Sequence, residues 1–222
     1  MRALGVDGCK GGWAVVVLED GHLSEVRFVT HVIELVNDPA SVIAIDIPLG
    51  ETVPCNRAAD HAARAFMSPR GNVVFPTPPL ATLRAKTYQE ALALCRKKFG
   101  KGIASQSWHL GQKMLDAREV WALDPVRVRE VHPECSFKVM AGRTLTSKKH
   151  WTGLRDRLAL LRAQGIDLIL STDSLPDGAK PDDIVDAAAA AWSAARIASD
   201  AAICFPEDPQ LDDEGRQVAI WA

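Results

Sequence analysis

The stretch RALGVDGCKGGWAVVVLEDGHLSEVRFV, residues 2–29, decides the fold. Its apolar residues are mostly β-branched or alternate with polar ones, and two turns, one glycine-rich, divide it into three runs. That pattern is typical of strands joined by hairpins. Asp20-Gly21 is a two-residue hairpin signal of its own. We therefore predict that the chain opens with a three-stranded antiparallel meander.

A fourth strand is predicted by SVIAIDIPLG, residues 41–50, which follows a short helix at 31–37. The run is apolar enough to be buried on both faces of a sheet, yet Asp46 lies near its end. An unpaired buried charge costs several kcal/mol. We therefore expect a cation or a basic side chain to compensate Asp46.

The rest of the chain alternates less regularly. Residues 50–124 contain helical pieces interrupted by prolines, which we interpret as an insertion packed on the sheet. The elements expected after it are a strand within residues 125–134 that ends just before Glu134, helices at 147–165 and 182–199, and a turn at Glu214-Gly215 followed by a last strand. This order predicts an α/β fold in a single domain, residues 1–222, with an insertion at about 50–124.

Composition excludes several classes of protein. The 26 basic and 28 acidic residues give a net charge of -2, so no global field draws the chain to nucleic acid or membrane, and any polyanion site must be local. The first twelve residues lack the apolar core of a signal peptide, and no apolar run approaches ~18 residues. The five cysteines form no CxxC pair. We expect a cytoplasmic protein with reduced thiols and no membrane partner.

Carboxylates recur where the predicted strands end. If the first and fourth strands are neighbours, Asp7 and Asp46 meet at the edge where open sheets bind ligands. A divalent cation such as Mg²⁺ or Mn²⁺ would stabilise that pair. Asp183 and Asp186, spaced i and i+3, share one face of the last helix, and small residues after them would let that helix approach the sheet. Alternatively, Asp183 favours the helix N-terminus, Asp7 belongs to a turn and Glu134 anchors a loop.

A polyanionic substrate would need local positive charge. The candidate substrate-binding residues are Lys10, Arg57, Lys148, Lys149 and Arg155. Runs of basic residues are also common on solvated faces, so this alternative stays open. His132 is compatible with a metal-binding or general-base role, and equally with a structural role at a strand end.

Several motifs together resemble a known family. They are GVDGCKGGW, AIDIPLG, VFPTPP, SQSWHLGQKM, REVHPECSF, SKKHWTGLRDR and PDDIVDA. In this order they are similar to the prokaryotic family of predicted RNase H-like nucleases, domain of unknown function 429. The resemblance implies an RNase H-like fold: a mixed five-stranded sheet, its first three strands antiparallel, with helices on both faces. It also implies a two-metal carboxylate site formed by Asp7, Asp46, Asp183 and Asp186.

The function that the resemblance implies is a divalent-metal-dependent nuclease or phosphodiesterase that uses Mg²⁺ or Mn²⁺. Asp7 would bridge the ions, Asp46 and Asp186 would bind on either side, and Asp183 or Glu134 would be an outer ligand or proton acceptor. All five carboxylates are thus candidate catalytic residues. Glu134 belongs to the HPE motif at 132–134, which is particular to this family. The expected partner is nucleic acid or a nucleotide.

Two alternatives remain. The glycine-rich turn after the first strand is also typical of actin-like ATPases and sugar kinases, which bind phosphate there. Those proteins use two such domains, so a phosphotransferase of this length would need to form a homodimer. The other alternative is a non-catalytic binding protein that retains the acidic pocket.

Overall fold

The computed structural model describes residues 1–169 and 175–222. Its main sheet contains β1 (Arg2–Cys9), β2 (Gly12–Glu19), β3 (His22–Val29), β4 (Val42–Asp46) and β5 (Val128–Glu130), in the order β3-β2-β1-β4-β5. The first three strands are antiparallel, whereas β4 is parallel to β1 and β5 is parallel to β4. This is the RNase H-like arrangement that the sequence predicts.

The predicted three-stranded meander is confirmed, including the turn at Asp20-Gly21. Asp20 and Gly21 connect β2 to β3 with φ angles of 50° and 82°. A type I′ hairpin turn requires positive φ at both central residues, and Asp-Gly is a favoured pair there. The local sequence therefore fixes the antiparallel start of the sheet.

Eight helices lie among the described residues. They are α1 (Ala58–Phe66), α2 (Leu80–Leu83), α3 (Tyr88–Phe99), α4 (Ser105–His109), α5 (Gly111–Leu123), α6 (Pro133–Ala141), α7 (Trp151–Ala163) and α8 (Pro181–Ala198). The first five lie between β4 and β5, where the insertion was predicted. A 3-10 turn covers Val32–Asn37, where a short helix was expected. No helix in the described ranges is long and apolar enough to cross a membrane.

Helices cover both faces of the sheet. On one face Leu4 and Val6 of β1 pack into a buried cluster with residues of α5. On the other face the sheet packs against α8 and α7. Each strand can pack on both faces because successive side chains of a strand point to opposite faces of the sheet.

The contact between α8 and β1 is unusually close. A Cβ atom added at Gly5 would lie 2.0 Å from the carbonyl oxygen of Ala187 and 2.0 Å from the amide nitrogen of Ala191. A Cβ at position 5 would therefore clash with the backbone of α8, so glycine is required there. The last helix lies close to the sheet, as expected from its small residues, and Ala187 and Ala191 are fully buried.

Two parts of the chain differ from the expectation. β5 ends at Glu130, and α6 begins at Pro133, so Glu134 lies in the first turn of a helix rather than just past a strand. Proline is favoured at the first position of a helix, which explains why α6 begins at Pro133. The last expected strand, β7 (Gln217–Trp221), is present, but it pairs with an unexpected β6 (Cys204–Leu211).

Candidate active site

Two carboxylates lie side by side where β1 and β4 end. Asp7 and Asp46 are paired in the parallel register of these strands. Residues paired in this way share a face of the sheet, and here it is the face covered by α8. The predicted proximity of Asp7 and Asp46 is therefore a direct consequence of the sheet order.

The close packing of α8 adds a third carboxylate. Asp186 immediately precedes Ala187, which contacts β1 at Gly5, and its side chain is buried at the same end of the sheet. Asp183 lies one turn earlier and accepts a hydrogen bond from the backbone N–H of Lys180 at 2.8 Å. That bond is the helix-capping arrangement considered as an alternative for Asp183.

A lysine meets the three carboxylates from another segment. The ammonium of Lys148, which lies just before α7, forms an ion pair with Asp186. Burial alone lowers the pKa of Lys148, but Asp186, Asp46 and Asp7 raise it overall, so the lysine stays charged. Lys148 is therefore part of what compensates Asp46 in the metal-free protein.

The ammonium of Lys148 alone cannot compensate three ionised carboxylates. Burial raises the pKa of Asp46 to about 7, although Lys148 acts in the opposite direction. Burial raises the pKa of Asp186 to about 7 as well, again against the effect of Lys148. For Asp7, burial and then the charges of Asp46 and Asp186 raise the pKa well above its ordinary value. Three ionised carboxylates and one ammonium would leave two uncompensated negative charges, equal to the charge of one divalent cation.

The donor chemistry suits a hard cation. Oδ1 of Asp186 is buried and accepts no hydrogen bond from any described residue. Oxygen ligands of this kind are what Mg²⁺ and Mn²⁺ prefer. Within residues 1–169 and 175–222, however, no three His, Cys, Asp or Glu side chains are already arranged to hold an ion together. The residues fit a divalent cation by charge and ligand type, while the ammonium of Lys148 occupies one side of Asp186.

Glu134 is engaged elsewhere. Both of its carboxylate oxygens accept hydrogen bonds from Nη2 of Arg157, each at 2.7 Å. The side chain of Arg157 is fully buried and also donates to the carbonyl oxygens of Thr146 and Gly153. This ion pair fastens the start of α6 to α7. It gives Glu134 a structural partner beside the site.

Another buried carboxylate, Glu130, lies where β5 ends, and the sequence analysis missed it. Glu130 accepts a hydrogen bond from the backbone N–H of Leu49 at 2.8 Å and forms an ion pair with Arg57. Arg57 also donates to Asp60 at 2.9 Å and to Thr77 at 2.8 Å. Burial raises the pKa of Glu130 to about 7, although Arg57 lowers it. The available signal was the same as for Asp46: a carboxylate at the end of an apolar strand.

A cleft of about 800 Å³ opens over the carboxylates. Of the predicted site residues, those that line it are Asp7, Asp46, Glu134, Lys148, Lys149 and Asp186. Among the predicted substrate-binding residues, Lys10 is exposed at the tip of the β1–β2 turn and Arg155 is exposed on α7. Arg57 is buried, and its guanidinium forms ion pairs with Asp60 and Glu130. Neither these three residues nor Asp183 line the cleft.

His132 also lines the cleft. Burial lowers the pKa of its imidazole, which favours the neutral form. Its Nδ1 is buried and has no hydrogen-bond partner among the described residues. The metal-binding, general-base and structural roles considered for His132 all remain predictions.

The comparison with family models agrees with the resemblance. A family model described as protein of unknown function (DUF429) matches residues 5–211. No curated protein matches the chain. Among solved structures, T. thermophilus RuvC in complex with Holliday junction substrate matches with 15% identity and a TM-score of 0.43, covering 90% of this chain and 97% of that chain. A second, Thermus thermophilus RuvC, matches with 14% identity and a TM-score of 0.34, covering 90% and 98%.

Proposed function

The chain belongs to the DUF429 family of proteins of unknown function, and we propose that it is a divalent-metal-dependent nuclease or phosphodiesterase acting at the carboxylate cluster of its cleft. The observation that supports this most is the convergence of the buried carboxylates of Asp7, Asp46 and Asp186 with the ammonium of only one lysine, Lys148. A stable fold would not need that arrangement, because buried like charges are costly.

In this proposal, Asp7, Asp46 and Asp186 would hold Mg²⁺ or Mn²⁺. When bound, such an ion would lower the pKa of a water and would stabilise negative charge on the leaving oxygen. Lys148 and the exposed Lys149 line the same cleft and attract the phosphate. Asp183 is an outer group at the N-terminal turn of α8. Glu134, held by Arg157, fixes α6 beside the cluster.

The ion pair of Lys148 with Asp186 favours one other candidate, a protein that binds nucleic acid or a nucleotide without cleaving it. In that case the ammonium of Lys148 stabilises the carboxylates in place of a metal ion, and the phosphate of the ligand contacts Lys148 and Lys149. Binding would then be unaffected by removal of divalent ions. Hydrolysis would be undetectable with any metal.

The deciding experiment is a hydrolysis assay on labelled single-stranded and double-stranded DNA and RNA, a branched junction and a simple phosphodiester. Each substrate is tested with Mn²⁺, Mg²⁺ or EDTA. Asp46→Asn is the test variant, and Asp182→Asn is the matched control because Asp182 is an exposed aspartate in the first turn of α8 that does not line the cleft. The proposal expects cleavage of at least one substrate that EDTA and Asp46→Asn abolish and Asp182→Asn preserves. Binding without metal-dependent cleavage would favour the alternative.

A further inference from the structure

The wall of the cleft differs chemically from its acidic floor. The floor comes from the sheet and α8, whereas the wall comes largely from the insertion between β4 and β5. Phe75 and Leu110 line the cleft and are 48% and 39% exposed. Single exposed apolar side chains are common on protein surfaces, but those that line a cleft are available to contact a ligand.

Two amides accompany these apolar side chains. Asn72 and Gln106 are exposed and line the same cleft. Neither side chain hydrogen-bonds to another described residue. Each can donate and accept at once, which matches the mixed donor and acceptor edge of a nucleobase. An aromatic ring and an apolar side chain beside free amides are thus the components of a base-binding site.

From these groups we propose that the wall formed by Asn72, Phe75, Gln106 and Leu110 binds an unpaired nucleobase next to the phosphate held over the carboxylates. The inference rests on the proposed function, because that function places the phosphate at the cluster. It adds the substrate class: a nucleotide whose base is free to leave its stack. In a continuous duplex each base is stacked and paired, so it reaches such a wall only after the duplex opens locally.

The size of the cleft agrees with this class of ligand. A volume of about 800 Å³ lies in the range of sites that enclose a small molecule. A nucleotide within a single strand and a free nucleotide present the same base and phosphate. The test therefore has to distinguish these two sources.

The experiment measures binding by fluorescence anisotropy in Ca²⁺, which takes oxygen ligands as Mg²⁺ does. The probes are a labelled single-stranded oligonucleotide and the same oligonucleotide annealed to its complement. Phe75→Ala is the test variant and Phe75→Trp restores an aromatic face. Trp151→Ala is the matched control, because Trp151 is 73% exposed and lies outside the cleft. Thermal denaturation checks that each variant is folded.

We expect the single strand to bind more tightly than the duplex. Phe75→Ala should weaken single-strand binding about tenfold, as loss of one base-stacking contact does, while Phe75→Trp and Trp151→Ala stay within about twofold of wild type. Competition by a mononucleotide at similar concentration identifies a free nucleotide as the source, and failure to compete identifies a strand. Either result supports the base site.

Equal or tighter binding of duplex, or single-strand binding that does not change in Phe75→Ala, would overturn the inference. The proposed function fails separately. If no metal supports hydrolysis but Phe75 still controls binding, the base site stands and the nuclease does not. If metal-dependent hydrolysis of every substrate is unchanged in Phe75→Ala, the nuclease stands and the base site does not.

Discussion

Replacing Asp46 by the isosteric asparagine should stabilise the metal-free protein at alkaline pH. Burial raises the pKa of Asp46 from 3.8 to about 7, which means that the folded state disfavours the ionised carboxylate. At about 1.4 kcal/mol per pKa unit, the penalty is at most about 4 kcal/mol. Asp46 keeps some contact with solvent through the cleft, so screening reduces the expected gain to about 2 kcal/mol.

The gain should depend on pH in a definite direction. Between pH of about 4 and 7 the folded protein binds a proton at Asp46 that the unfolded chain has lost, so the stability of the wild type falls as pH rises. Above pH 7 the full penalty is present. The advantage of Asp46→Asn is therefore largest at pH 8 and disappears near pH 4.

Urea denaturation at pH 5 and pH 8 in EDTA measures both effects. Asp182→Asn is the control, because its exposed carboxylate should change stability by less than about 0.5 kcal/mol. Adding Mn²⁺ should stabilise the wild type and not Asp46→Asn, since binding to the folded state raises its stability. The reasoning is refuted if Asp46→Asn is no more stable than wild type at pH 8 in EDTA, or if the difference does not change with pH.

Three further substitutions test the framework around the site. Gly5→Ala places a Cβ 2.0 Å from the backbone of α8 and should lower the free energy of unfolding in urea by more than about 3 kcal/mol. The control Gly102→Ala, whose added Cβ has its nearest neighbour at 3.7 Å, should lower it by less than about 1 kcal/mol. Similar losses in the two variants would contradict the close packing. Arg57→Met removes the ion-pair partner of Asp60 and Glu130, which are both buried, and should lower the free energy of unfolding by about 3–5 kcal/mol in urea. A loss below about 1 kcal/mol would show that these ion pairs do not form. Glu134→Gln should lower the free energy of unfolding by about 1–3 kcal/mol, because it weakens the ion pair with Arg157. The Mn²⁺ affinity measured by calorimetry should stay within about threefold of the wild type. Loss of Mn²⁺ binding would instead show that Glu134 is a metal ligand.

The sequence predicts the sheet and its acidic floor well because their signals are local. Asp20-Gly21 sets the first hairpin, and the small residues of α8 are suited to close contact with the sheet. Once β1 and β4 are neighbours, the register itself pairs Asp7 with Asp46. These features depend on short-range patterns and on one topological assumption.

The parts that were missed depend on long-range pairing or on weak local signals. Glu130 meets Arg57, which lies 73 residues earlier, and no local pattern joins them. The hairpin strand β6 contains Pro206 and Pro209, which argue against a strand although an edge strand tolerates them. The helix α6 did have a readable signal, since Pro133 stands at its start and Gly142 ends it with a φ of 66°.

The wall of the cleft was missed for a different reason. Phe75 lies in a proline-rich loop and Leu110 lies between α4 and α5, and at neither position does periodicity indicate which side chains remain exposed. Their position beside the carboxylates follows from packing of the insertion on the sheet. Tertiary structure is therefore needed to recognise them as part of the site.

The central claim is that Asp7, Asp46 and Asp186 form a divalent-metal site. Calorimetric titration of Mn²⁺ into the wild type, Asp46→Asn and Asp182→Asn at neutral pH, in buffer without phosphate, tests it most directly. The account predicts that the wild type and Asp182→Asn bind one or two ions and that Asp46→Asn binds none or binds them at least tenfold more weakly. Absence of Mn²⁺ binding to the wild type, or equal binding to all three proteins, would contradict it.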